Sequence, residues 1–443
     1  MEKAELKEIA NEEIEKNRER IIQLGKSIFS EPEEGFKEFK TAEKAKNTFK
    51  EMGIKFEDEL AVTGVKGHIA GRESGPTLAI IGELDALFNP EHPSADKTTG
   101  LVHACGHFAQ IAWLIGAGFG LRKVIEHLSG TVVLFAVPAE EYIDLGFRQQ
   151  LKEEGKIRYF GGKQELIRLG AFDDVDLAMM SHAQSDIPGR SVFVTKGSNG
   201  FVGKSVRFIG RASHAGAAPF EGINALNAFN IALSAIHAQR ETFRDNDSVR
   251  VHLIVTKGGD SVNIVPSEVK VEMYVRANST EAIKESNLKV DRALKAGAMG
   301  VGASVEISQT PGYLPLDSNE ALSDLWLENA NTLLGKDNVH TIPAFGGSTD
   351  MGDLMHIKPG IHPFVGGFSG GLHTKDFEIT DEEMAYIIPA KIQAMTAIDL
   401  LCDSAKVAKE IVSNFKPKLS KEEYLKLLDS FFYKALWHEQ EDK

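Results

Sequence analysis

Apolar positions in the first fifty residues recur at helical spacing. Ile9, Ile14, Ile21, Ile22 and Leu24 stand among charges and predict one amphipathic helix over residues 3–28, closing near Gly25. A second helix is predicted for residues 40–52, stopped by Gly53. Apolar runs at 65–70 and 77–82 predict strands, the second apolar enough to be buried on both faces. A helix over 105–128 and a strand at 131–137 follow. Two short helices are expected around Gly161-Gly162, then a buried strand at 176–181. Strand and helix alternate, which implies an α/β layer with a mainly parallel sheet and ligands at the carboxyl ends of its strands. Asp85, Glu140, Glu141 and His182 each fall just past the end of such a strand.

From about Ser191 the period changes. Strands with one wet face fit 192–195 and 202–209, then a helix fits 222–240, strands 249–257 and 268–277, a helix 280–298 and a strand 304–309. That is the split βαββαβ order of a ferredoxin-like domain. After Pro311-Gly312 the pattern predicts a helix at 317–335, a Gly-rich loop into a short helix at 344–353, and a strand at 362–366. A loop at 372–377, a long helix over 382–415 and a charged helical tail to residue 443 complete it. The expected fold class is α/β. A discontinuous domain with a mainly parallel sheet (1–190 and 311–443) carries an inserted ferredoxin-like α+β domain at 191–310.

Composition narrows the function classes. A formal charge of −14 with no basic cluster excludes a nucleic-acid surface. Cys105 and Cys402 are the only cysteines, which excludes a disulfide framework and points to free thiols in a reducing compartment. The first twenty residues are dense in Glu and Lys with no apolar segment behind them, so no secretory signal is expected. The apolar run 111–121 is short for a bilayer and holds three glycines. The expectation is a soluble cytoplasmic protein with no membrane or nucleic-acid partner.

Four fragments carry candidate chemistry, each with a plain structural alternative. In Cys105-Gly106-His107 a thiol and an imidazole can face one ion across a glycine turn, though a buried thiol and a cap residue read equally well. Glu140-Glu141 points two carboxylates in different directions, one able to hold a metal and the other to act as a base. An acidic helix N-terminus is the alternative. His182 and His373 read alone as loop histidines.

Together they form an ordered pattern. Leu84-Asp85-Ala86-Leu87, His103-Ala104-Cys105-Gly106-His107, Pro138-Ala139-Glu140-Glu141, Ser181-His182, Ser213-His214-Ala215-Gly216-Ala217-Ala218-Pro219, Gly222-Ile223-Asn224-Ala225, Asn263-Ile264-Val265-Pro266 and Gly371-Leu372-His373-Thr374 follow in sequence. In order and spacing this resembles the M20 metallopeptidase superfamily, most closely its amidohydrolase branch of N-acyl-amino-acid, auxin-conjugate and aminobenzoyl-glutamate hydrolases. The resemblance spans about residues 10–400. It implies that Cys105, His107, Glu141, His182 and His373 ligate two divalent ions, Zn or Mn with Co an option, that Glu140 is the general base, and that Asp85 orients a ligand. It implies that His214, on a lid and dimerisation domain, stabilises the oxyanion, and that Asn263, Arg276 and Ser348 meet the substrate. Two divalent cations bring more positive charge than the Cys105 thiolate and Glu141 carboxylate remove, so a bound water is acidified and an anionic substrate attracted.

The implied function is a metal-dependent hydrolase, active as a homodimer. It would cleave the amide of an N-acyl amino acid or similar conjugate bearing a carboxylate, through a metal-activated water. A dipeptidase or carboxypeptidase of the same superfamily, a non-catalytic binding protein on this fold, and an unrelated α/β protein with structural acids are the alternatives. Glu83, Phe108 and the 88–99 loop, which flank the first motifs, are expected to bear on substrate choice.

Overall fold

The computed structural model describes residues 1–438 other than 186 and 188. The chain forms two compact units. The first comprises Met1–Gly197, Leu316–Ala344 and Asp350–Lys421; the second comprises Ser198–Pro315, Phe345–Thr349 and Glu422–Lys443.

The first unit is built on a six-stranded sheet in the order Lys55–Leu60, Gly64–Ala70, Ser129–Val137, Glu73–Glu83, Leu177–Met179, Gly360–Ile361. The last three pairings are parallel and the first two antiparallel, so the sheet is mixed and mostly parallel. The Lys55–Leu60 edge strand has charges at alternate and adjacent positions and no buried residue, which is why apolar periodicity does not predict it. The central pair matters most for function. Glu83 stands opposite Val137, and the Leu84 amide donates to the Val137 carbonyl at 3.0 Å. The segments carrying Asp85 and Glu140-Glu141 therefore leave the sheet side by side.

The His107–Val124 helix crosses behind this sheet, every residue buried except Phe119, Arg122 and Lys123. It and the helical stretch Glu383–Leu401 are long and apolar enough to cross a membrane, yet 83% and 94% of their apolar windows are buried within the fold. The two helices meet at a defined bond. Pro389 has no N–H to offer the carbonyl four residues back, that of Ala385, and Trp113 Nε1 donates to that carbonyl at 2.7 Å instead.

Several predicted boundaries move. Residues 3–28 are two helices, Lys3–Lys16 and Arg18–Phe29. Asn17 interrupts them, its side-chain amide taking the Glu13 carbonyl at 2.9 Å. Gly25 does not end the second helix. It lies inside it, where a Cβ would stand 2.3 Å from the Tyr386 ring, so the glycine serves close packing. The long helix expected over 382–415 breaks at Cys402–Ala405, where Ser404 is left-handed.

In the second unit five antiparallel strands run in the order Arg250–Lys257, Glu268–Ala277, Gly200–Ile209, Ser304–Pro311, Tyr433–Trp437. Helices Ala225–Ala238 and Thr280–Met299 share their core. The βαββαβ order is as the pattern predicts. The expected limits of 191–310 and 311–443 are corrected at both ends. Val192–Thr195 is fully buried and pairs in parallel with Val339–Ile342 in the first unit, so it has no wet face. The tail is a helix, Lys421–Phe431, followed by a strand that pairs with Ser304–Pro311 and belongs to the second unit. The last five residues of the predicted tail lie outside the described residues.

Trp113 is buried completely and donates to the Ala385 carbonyl. Trp113→Ala is expected to destabilise the first unit by about 3–5 kcal/mol. Trp113→Phe, which keeps the ring but orphans the Ala385 carbonyl, should cost about 1–3 kcal/mol. Urea unfolding followed by circular dichroism checks both, and equal losses for the two variants would contradict the hydrogen-bond account.

Candidate metal centre

Three strand ends and two loops of the first unit converge on one thiol. Cys105 is buried just before the His107–Val124 helix, and Gly106, at φ +91°, makes the turn between them. A Cβ on Gly106 would lie 2.3 Å from the Cβ of Ala183. Only glycine lets this turn lie against the His182–Ala183 strand, and that approach puts Cys105 Sγ 3.4 Å from His182 Nε2. From the opposite side comes His373, itself left-handed at φ 63°, with its amide on the Ala104 carbonyl at 2.9 Å. Its Nε2 stands 3.1 Å from the same sulfur and 3.2 Å from Glu141 Oε1.

These are ligand spacings. Bonds of about 2.0–2.3 Å to a tetrahedral ion place neighbouring donors about 3.3–3.8 Å apart. Two groups of three donors, each with all atoms within 4.8 Å of one another, share the sulfur: Cys105, His107 and His182, and Cys105, Glu141 and His373. All are buried except His373, which is the exposed side of the cluster. The five side chains expected to ligate are thus brought together as two triads with a common thiol.

The other ring nitrogens are occupied in the way metal-binding imidazoles require. His107 Nδ1 is 2.9 Å from the Asp85 carbonyl and 3.1 Å from Asp85 Oδ1, and His182 Nδ1 is 2.7 Å from the Ala183 carbonyl. Each contact assigns the proton to Nδ1 and leaves the Nε2 lone pair facing the cluster. The second Asp85 oxygen accepts from the Glu141 amide at 2.8 Å, so one carboxylate orients a ligand on each triad. His107 Nε2 and Glu141 Oε1 are buried and make no well-aligned hydrogen bond, although Glu83 Oε2 lies 3.1 Å from the first and His373 Nε2 3.2 Å from the second. Such orphans are costly unless a cation satisfies them, and a mixed sulfur, nitrogen and oxygen donor set suits a divalent transition ion. The residues fit the group.

Electrostatics agree. Burial and Glu141 both oppose a thiolate, but His373, His182 and His107 together pull the Cys105 thiol down to about 6. Glu141 and then Cys105 raise His373 to about 12. Against the effect of burial, Glu83 and Cys105 lift His107 well above its ordinary value. Glu140 is displaced upward, first by burial and then by Glu83, Glu141 and Asp350.

The turn that presents Glu140 is supported from below. Ala139 is left-handed at φ 55°, and its amide donates to the fully buried Glu38 carboxylate at 2.8 Å. Its carbonyl accepts from the Gly162 amide at 3.0 Å. Buried Arg148 bonds the Glu141 carbonyl.

Sequence reasoning missed the neighbours that complete the centre. Glu83 is wholly buried, with Oε2 3.1 Å from His107 Nε2. Its other oxygen is 2.6 Å from Lys163 Nζ, which also bonds Asp350 Oδ1 at 2.6 Å. Burial works against the Lys163 charge, but Asp350 and Glu83 raise its pKa overall. No motif marks Lys163; a lysine just after Gly161-Gly162 reads as an exposed helix start. Phe108 faces the core, edge-on to Phe29 and Tyr386. The 88–99 loop braces a proposed ligand. Asn89 donates to the His373 carbonyl at 3.1 Å, and buried His92 meets the Phe377 carbonyl at 2.9 Å.

His214, Asn263, Arg276 and Ser348 belong to the second unit. His214 is exposed, and its Nδ1 accepts from the amides of Gly216 and Ala217 at 3.1 and 3.0 Å, which leaves Nε2 for a proton to donate. The Ala215 amide bonds the Asn263 carbonyl. Arg276 lies over the rings of Phe201 and Tyr274 and donates to Ser348 Oγ at 2.8 Å, an arrangement that stiffens its guanidinium.

Residues 79–390 match the family described as Peptidase family M20/M25/M40. The chain is 30% identical to a mouse (Mus musculus) protein named Xaa-Arg dipeptidase over 95% of its own length and 94% of the relative's. It is 27% identical to IAA-amino acid hydrolase ILR1-like 4 of Arabidopsis thaliana, over 83% and 82%. Among solved structures it is similar to a Bacillus subtilis protein described as a dinuclear metal binding peptidase of the M20 family. That likeness has a TM-score of 0.66 at 24% identity and covers 86% of this chain and 98% of the other.

Protons and divalent ions compete for the same lone pairs here. His107, His182 and His373 all hold protons more tightly than free imidazole, so ion uptake should release protons and affinity should rise from pH 6 to pH 8. Calorimetry in buffers of different ionisation enthalpy measures this; a heat of binding that ignores the buffer would contradict it.

Proposed function

Because the chain belongs to peptidase family M20/M25/M40, we propose that it hydrolyses the amide bond of an N-acyl amino acid or similar conjugate carrying a free carboxylate. The observation that carries this reading is the pair of triads sharing the Cys105 thiol, with the Glu140 carboxylate beside them and outside both. Two divalent ions held there, Zn or Mn with Co an option, would polarise the scissile carbonyl and acidify a water.

The chain's own groups do the rest. Glu140 takes a proton from the attacking water and returns it to the departing amine nitrogen. The upward shift produced by burial and by Glu83 suits a carboxylate that must hold that proton between the two steps. Asp85 fixes the His107 ring and the Glu141 backbone, so neither ligand turns as charge develops. His214 is the candidate donor to the oxyanion through Nε2. Arg276, held flat by two rings, is the candidate partner for the substrate carboxylate, with Ser348 and Asn263 beside it in the proposal. The protein is read as a cytoplasmic homodimer, a reading supported by two buried unpaired thiols and by the resemblance in the inserted unit.

A second reading has its own support. The mouse relative that aligns over 95% of this chain is named a dipeptidase. A dipeptide is an N-acyl amino acid whose acyl group bears an amine, so the same machinery serves both and only the acyl side distinguishes them.

A hydrolysis screen of N-acyl amino acids, aminobenzoyl-glutamate and dipeptides, each with Zn²⁺, Mn²⁺ and Co²⁺, tests the proposal. Turnover is expected only with a divalent ion and only for substrates with a free carboxylate. Glu140→Gln should lower kcat by on the order of 10²–10⁴-fold while metal content measured by mass spectrometry stays at the parent's value. A fully active variant would remove Glu140 from the role of base.

A further inference from the structure

His107 Nε2 lies in two overlapping donor groups. One is the triad with Cys105 and His182; the other is Glu83, His107 and Glu140, whose atoms also lie within 4.8 Å of one another and are all buried. A ring nitrogen has one lone pair and serves one ion. An ion taken up by the second group would hold both the imidazole and the carboxylate proposed as base. The two carboxylates there can bring more negative charge to an ion than the single Cys105 thiolate of the triad, so bare electrostatics favours the wrong group.

Lys163 changes that balance. It is fully buried in the first unit, with Nζ 2.6 Å from Glu83 Oε1 and 2.6 Å from Asp350 Oδ1. Its backbone amide donates to the other Asp350 oxygen at 2.9 Å, which anchors the pair to the start of the Gly162–Leu169 helix. Glu83 Oε2 accepts from Gln110 Nε2 at 2.8 Å, and the Gln110 side-chain oxygen accepts from the Glu83 amide at 3.0 Å. Glu83 is thus clamped at both oxygens and already neutralised by a cation that cannot leave. A divalent ion approaching it meets an ammonium of like charge.

We propose that Lys163 is a positioning residue that acts as a resident cation: by neutralising Glu83 it keeps a divalent ion out of the Glu83, His107 and Glu140 group, commits His107 to the triad with Cys105 and His182, and keeps the ion off Glu140. This rests on the metal-centre reading above. Glu83 is accordingly a charge partner and not a ligand, and Asp350 holds the ammonium in place.

The test follows where the ion binds. Lys163→Gln alone would strand two buried carboxylates and could unfold the protein. The charge-balanced chain Lys163→Gln with Asp350→Asn removes one charge of each sign and leaves Glu83 ionised. Loaded with Co²⁺, that chain is expected to show weaker sulfur-to-metal charge-transfer absorption than the parent, because an ion that takes His107 is drawn away from Cys105. Excess Mn²⁺ should inhibit it by on the order of 10²-fold, because Glu140 is captured. Adding Glu83→Gln should return both readings to the parent's. A folded charge-balanced chain with the parent's charge-transfer absorption, or a weakened absorption that persists after Glu83→Gln, overturns the proposal. Glu83→Gln in the native background tests it without disturbing Lys163: the parent's ion count is expected, and loss of an ion would make Glu83 a ligand and overturn it. A parent chain that binds no divalent ion at all would instead refute the metal-centre reading itself.

Discussion

Burying negative charge is the constraint around which the first unit is built. Glu83, Asp85, Glu140, Glu141, Asp350 and the Cys105 thiol are all buried around one cluster. Carboxylates taken out of water in this way are strongly unfavourable unless cations or hydrogen-bond donors meet them. The fold answers with three kinds of partner. Backbone amides meet Asp85 and Asp350, the buried ammonium of Lys163 meets Glu83 and Asp350, and the imidazoles of His107 and His373 meet Glu83 and Glu141. The Cys105 thiol, with the buried His107 Nε2 and Glu141 Oε1, is the donor set that divalent ions would satisfy.

That economy explains the local backbone. Groups of like charge approach one another only where main chain is forced close, and the close approaches fall at Gly106 against Ala183 and at Gly162 against Pro138. At the second, a Cβ would stand 1.7 Å from the Pro138 carbonyl oxygen. The left-handed residues Ala139 and His373 sit at the two turns that deliver Glu140, Glu141 and the exposed imidazole. Strained turns of this kind persist because a rigid sheet and a largely buried helix determine them from below, a division of labour that places chemistry on loops and stability in the layers beneath.

The pairing of Glu83 with Val137 then carries the geometry into function. Two adjacent parallel strands in fixed register deliver Asp85 and Glu141 at the same level, which is what lets one carboxylate bind both a ligand's ring and another ligand's amide. A slip of one residue would turn either strand's side chains to the opposite face and dissolve the site. The Trp113 bond to the Ala385 carbonyl ties the supporting helix to its neighbour, so the layer beneath the site resists such movement.

Sequence by itself determined the layer order, the split βαββαβ insert and the donor types, because period and strand-end position are local properties of the chain. It also singled out seven candidate residues in the first unit and four in the second, since short motifs carry their spacing with them. It did not reveal the break at Asn17, the packing role of Gly25, or the return of the tail as a strand, each of which depends on a distant partner. Nor did it place Glu83, Lys163 and Asp350 in one network, for they lie 80 and 187 residues apart and look like a strand-end acid, a surface lysine and a loop aspartate. Only the tertiary structure decided that these charges share a buried space. Burial turns an ordinary lysine into a fixed counter-ion, and burial is not a property of any one stretch of sequence.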